Sequence, residues 1–140
     1  MRDYVLDANI VMSILLSGKA DYRPILAFFN FILPDFVMVE VEKYSNVIKS
    51  KSRLKETELL LWTYFVFSQL TILPQYALQP ESLIKAEALL ENVDLKDVAY
   101  VALAMQLDLP LLTRDKPLYH GLRKQGFRKV QLFENFLKNI

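Results

Sequence analysis

A chain of 140 residues with 53% apolar and 12% aromatic content and only three glycines is too hydrophobic for disorder and long enough to bury its own core, so residues 1–140 are expected to form a single domain. A formal charge of +1 supplies no global field for a polyanion, so any nucleic-acid contact must come from local basic patches. The absence of cysteine excludes disulfides, thiolate catalysis and zinc–cysteine sites, and with Met1-Arg2-Asp3-Tyr4 leading straight into a strand-like run rather than a signal peptide, a cytoplasmic protein is expected.

Asp3 to Leu6 reads as a short buried strand, and Ala8 to Leu16 shows helical spacing until Ser17-Gly18 breaks it. Tyr22 to Phe31 predicts a second helix, Ile32-Leu33 a brief strand ended at Pro34-Asp35, and Phe36 to Ile48 a third helix. Lys49-Ser50-Lys51-Ser52-Arg53-Leu54-Lys55 is the one dense basic run and reads as a loop with a helix start. From Lys55 to Gln69 a helix carries Leu59, Leu60, Trp62, Phe65, Val66 and Phe67 on most of its circumference, which predicts burial on more than one side. The apolar stretch Leu59 to Leu73 is shorter than the roughly 20 residues a bilayer requires and contains Ser68 and Gln69, so no membrane contact is expected.

Thr71 to Leu73 is the next strand, Ser82 to Leu90 an amphipathic helix, and Asp94 to Leu107 the clearest helix, with Leu95, Val98, Val101, Ala102 and Met105 at three- and four-residue steps. Leu109 to Thr113 predicts a strand, Lys116 to Gln125 a helix, and Lys129 to Phe133 a last strand before a terminal helix. Strands alternating with helices imply a mainly parallel sheet covered on both faces.

The acids sit at informative places in this pattern. Asp7 closes the first strand, Asp115 follows Leu109-Pro110-Leu111-Leu112-Thr113, Asp94 and Asp97 open the clearest helix, and Glu40 lies in Phe36-Val37-Met38-Val39-Glu40-Val41. In open α/β folds ligands bind outside the carboxyl ends of the strands, where such acids would meet. Two unit charges about 4 Å apart repel by roughly 4 kcal/mol at an effective dielectric near 20, so a cluster of four needs protons or a cation. An all-oxygen cluster suits Mg²⁺ or Mn²⁺, ions adapted to phosphodiester hydrolysis. Asp94 and Asp97, three apart, share a helix face, although Asp94 also reads as a simple N-cap. Glu42 competes with Glu40 but points about 200° away on the helix.

Val5-Leu6-Asp7-Ala8-Asn9-Ile10, Asp97-Val98-Ala99-Tyr100-Val101-Ala102-Leu103-Ala104 and Leu111-Leu112-Thr113-Arg114-Asp115 together resemble, in order and spacing, the acidic motifs of the PIN-domain ribonucleases, including the VapC-type toxins. The resemblance implies a three-layer α/β/α fold in which Asp7, Glu40, Asp97 and Asp115 bind one or two divalent ions and activate water to cut RNA, with Asp94 as an extra acid at the site. It also implies Asn9 and Thr113 as positioning residues for the acids or a water, with Asn9 equally readable as a cap of the first helix, a homodimer, and, for a toxin role, an antitoxin protein as partner. Arg114 and Lys116, flanking Asp115, suit a scissile phosphate better than the basic run from Lys49 to Lys55 does. His120 reads as a surface residue, and Trp62, Tyr64, Phe65 and Phe67 as core and oligomer interface rather than a base-stacking platform. The competing reading is a catalytically silent PIN-like domain that binds RNA or a partner. An aspartyl phosphatase would want a second Asp where Asn9 stands, and a receiver domain paired acids after its first strand.

Overall fold

The structure, a computed structural model, describes residues 2–140. Strands β1 (Asp3–Leu6), β2 (Asn30–Pro34), β3 (Leu70–Leu73), β4 (Leu111–Thr113) and β5 (Val130–Leu132) form one sheet in the order β3-β2-β1-β4-β5, with parallel pairing throughout. Successive strand residues point to opposite faces, yet Leu111 and Leu112 are both fully buried, so helices cover both sides of the sheet. This is the α/β architecture that the alternating pattern predicts.

Nine α-helices are described: α1 (Ala8–Ser17), α2 (Tyr22–Phe28), α3 (Phe36–Lys43), α4 (Ser45–Lys51), α5 (Glu56–Ser68), α6 (Pro80–Leu90), α7 (Val98–Leu107), α8 (Lys116–Lys124) and α9 (Phe133–Lys138). Helix α7 packs across β1, β2 and β4, and its buried Ala99, Val101, Ala102 and Ala104 allow that close approach. Helix α9 lies against β4 and β5 and sends Phe136 to within 5.0 Å of the Tyr4 ring, edge to face. Trp62 docks α5 onto α1 by donating its indole N–H to the Ile14 carbonyl at 2.9 Å.

Two predicted boundaries move and one predicted burial fails, each for a physical reason. The second helix stops at Phe28 because Asn30 donates to the Arg2 carbonyl and Phe31 pairs with Tyr4 and Leu70, so strand pairing takes residues whose apolar spacing also fits a helix. The third helix breaks at Tyr44 and resumes as α4, which turns Ile48 into the core beside α1; Lys49 and Lys51 are therefore helical, not in a loop. Helix α5 buries only Leu59, Trp62 and Val66, while Leu60, Leu61 and Tyr64 are exposed. The expectation of burial on several sides fails because α5 packs on α1 with one face and leaves an apolar face outward.

Candidate active site

Going outward from β1, the chain lays β2 and β3 to one side and only later β4 and β5 to the other, so β1 and β4 flank the topological switch point. The Asp7 backbone N–H bonds the Leu112 carbonyl at 3.0 Å, bringing the carboxyl ends of these strands together. Asp7 occupies the N-cap position of α1 but its carboxylate does not cap the helix. Instead Oδ2 accepts a 2.7 Å hydrogen bond from the hydroxyl of Thr113, the last residue of β4. The same hydroxyl oxygen accepts the Asp115 backbone N–H at 3.0 Å, so one buried threonine sets both strand-end acids. Asp115 then caps α8, its Oδ1 accepting from the Leu118 N–H at 3.0 Å.

Glu40 reaches the site from α3, the helix after β2, and accepts a 2.5 Å hydrogen bond from the Tyr100 hydroxyl on α7. Glu42 is exposed on another side of α3 and lines a separate groove with Leu15, Ser45 and Thr63. Asp97, expected one turn inside a helix, stands at the head of α7 as the last residue of a 3₁₀ turn, Leu95–Asp97. Asp94 caps that turn through the Lys96 backbone N–H at 3.1 Å and pairs with the Lys96 ammonium at 3.4 Å. It borders the cluster while its carboxylate is held by Lys96.

The charges of these groups act on one another. Burial pushes the Asp7 carboxyl up to about 6, against the Thr113 hydrogen bond, and the negative charges of Glu40 and Asp115 add to the rise. Asp97 is pushed up to about 7, first by burial and then by Asp7, Asp94 and Asp115. Lys96 holds its proton more firmly than usual, first because of Asp94 and further because of Asp97 and Asp115. Asp7 thus lies within electrostatic reach of Glu40, Asp97 and Asp115, and Asp97 within reach of Asp94 and Asp115 as well.

Among the described residues no group of three or more acidic or histidine side chains closes around a single point suited to an ion. Three of the carboxylates have a protein donor of their own: Thr113 for Asp7, Tyr100 for Glu40 and the Leu118 amide for Asp115. Asp97 differs, because its Oδ2 is buried without a hydrogen-bond partner among the described residues, and the Asn9 side-chain oxygen shares that condition. Unpartnered buried acceptors call for a proton, a water or a cation. Magnesium needs only one or two carboxylates with waters completing its shell, so this all-oxygen donor set fits a hard divalent ion.

Around the cluster, Arg114 and Lys116 line a cavity of about 220 Å³ with Leu132, Phe133 and Glu134, and the Arg114 guanidinium donates to the Ser13 hydroxyl on α1. His120 is exposed, with its ring beside Tyr119. Trp62 belongs to the core and Tyr64 to the surface. Tyr100 is the residue that the sequence reading missed as part of the site. The available signal was its position one helical step of three after Asp97, which sets the two on the same face.

Acids carried by the ends of β1 and β4, by α3 and by the turn before α7 thus flank the switch point of a parallel sheet. The chain belongs to the PIN-domain family, whose model matches residues 5–134, and PIN domains are generally nucleases. Comparison with curated proteins finds no match.

Proposed function

We propose that this PIN domain is a divalent-metal-dependent endoribonuclease, with Asp7, Glu40, Asp97 and Asp115 as the acids that hold one or two Mg²⁺ or Mn²⁺ ions. The observation that carries the reading is Asp97: a buried carboxylate with an unpartnered oxygen, in the field of Asp7, Asp94 and Asp115. When bound, such an ion supplies a water of lowered pKa and offsets the charge developing on the phosphate. The chain's own part is to fix the acids. Thr113 holds Asp7, the first turn of α8 holds Asp115, and the Asp94-capped turn presents Asp97. Arg114 and Lys116 are exposed beside Asp115 and serve the RNA backbone, which gives the protein phosphate recognition without base specificity.

Structured RNAs incubated with Mg²⁺ or Mn²⁺ are expected to be cleaved by the natural protein and not by Asp7→Asn. Cleavage that persists unchanged in that variant removes the assignment, and RNA binding without metal-dependent turnover in the natural protein selects the silent PIN-like reading instead.

The wider setting follows from the family. A toxin role requires a cognate antitoxin, which a partner encoded beside the gene and co-purifying with this chain would supply. The outward face of α5, with Leu60, Leu61 and Tyr64, supports a homodimer, to be read by light scattering. No helix among the described residues is long and apolar enough to cross a membrane.

A further inference from the structure

Glu40 has a long side chain on a half-exposed helix, and its charge opposes that of Asp7. Left to itself, such a carboxylate gains solvation and relieves repulsion by turning outward, as exposed Glu42 does two residues on. Something must keep it inward. Tyr100 lies in α7, only 1% exposed, with its ring 6.4 Å from that of Phe36, the first residue of α3. A packed ring is a fixed reference point, and its hydroxyl donates to Glu40 Oε1 across 60 residues of chain. The dependence is mutual, because a buried phenol without an acceptor is itself costly.

The chemistry of the donor matters as well. A phenol ionises only at about pH 10 in its ordinary state, so at neutral pH its hydroxyl donates to Glu40. An Arg or Lys in its place would cancel the Glu40 charge. A phenol orients the carboxylate while leaving its charge in the cluster and Oε2 uncommitted to it. Phenylalanine would fill the same space, so the hydroxyl is the atom that packing alone does not explain.

We propose that Tyr100 is a positioning residue whose hydroxyl holds Glu40 inward against the repulsion of Asp7, setting its carboxylate for the divalent ion. The inference rests on the nuclease reading above. Its test is a cycle of Tyr100→Phe, Glu40→Ala and the double variant, each titrated with Mn²⁺ by calorimetry and assayed on RNA. Tyr100→Phe is expected to weaken Mn²⁺ binding by about 10-fold or more and to lower kcat with the KM for RNA unchanged. In the Glu40→Ala background the same change is expected to do nothing further to Mn²⁺ affinity. An equal loss in both backgrounds, or no loss in either, overturns the proposal.

A second measurement needs no folded Tyr100 variant. In the natural protein the Tyr100 hydroxyl proton should exchange slowly enough to be seen by NMR and should vanish in Glu40→Ala; a signal that survives there unchanged overturns the pairing. If the natural protein neither binds Mn²⁺ nor cuts RNA, the nuclease reading fails before any variant is compared, and the positioning role fails with it.

Discussion

Thr113 is fully buried at the end of β4, and its hydroxyl is used twice, donating to Asp7 and accepting from the Asp115 amide. Valine matches its shape and can do neither. Thr113→Val is expected to destabilise the fold by about 1–3 kcal/mol, read as a lower urea midpoint, because a half-buried amide and the buried Asp7 carboxylate each lose a partner. A midpoint equal to that of the natural protein would show that water replaces the hydroxyl at no cost. Much of this site was legible in residues alone. Asp7 and Asp115 declare themselves by ending apolar runs, and Asp97 by opening one. Glu40 and Glu42 separate only through the rotation of α3, where one faces the acids and the other solvent. Tyr100 stayed hidden because a tyrosine inside an alanine-rich helix reads as core, and it is core in every atom except its hydroxyl.

At the scale of elements, the turn that presents Asp97 is held from the side by α8. Gly121 lies inside that helix, and a Cβ there would stand 2.6 Å from Val93 Cγ2, just before Asp94. The missing side chain is what lets the turn sit so close. Gly121→Ala gains helix propensity of about 1 kcal/mol but must push Val93 aside, at an overpacking cost of about 1–3 kcal/mol. A lower melting temperature is expected, recovered when Val93→Ala is added; a melting temperature raised by Gly121→Ala alone would show that Val93 moves freely. Element type was readable from periodicity, but ends were not. Asp94-x-x-Asp97 has the spacing of a helical step, and a 3₁₀ turn uses three residues too, so the pattern could not tell a helix interior from its entrance. The break at Tyr44 likewise carries neither glycine nor proline to announce it.

For the whole molecule, the acid cluster sets how stability responds to pH. In the unfolded chain Asp7 and Asp97 ionise in the ordinary carboxylate range, whereas in the fold they keep their protons until about 6 and about 7. Between these limits the folded state binds more protons than the unfolded one, so stability falls as pH rises. The stabilisation is complete below the ordinary range and is lost once the pH has passed about 7. Asp7 alone accounts for a change on the order of 3 kcal/mol. Urea unfolding in chelator is therefore expected to show a midpoint that drops from pH 5 to pH 8, and Mn²⁺ at pH 8 to restore it by binding the ionised acids. A flat profile in chelator would mean that the acids lie farther apart or wetter than their burial implies. The sheet itself was foreseeable as parallel from the alternation of strands and helices, but its order was not, since nothing local to β4 says that it returns to the free side of β1 rather than extending the row beyond β3.

That return has a consequence in time. Asp7 and Thr113 are 106 residues apart, and the strands they end are neighbours. A chain made from its N-terminus can align β1, β2 and β3 while one edge of β1, the strand that will be central, waits for a partner still to be synthesised. Pairing over so long a separation is slow, and an open apolar strand edge invites wrong partners in the meantime. The same delay applies to the chemistry. Asp97 and Asp115 come late in the chain, so the acid cluster cannot assemble until residue 115 has been made.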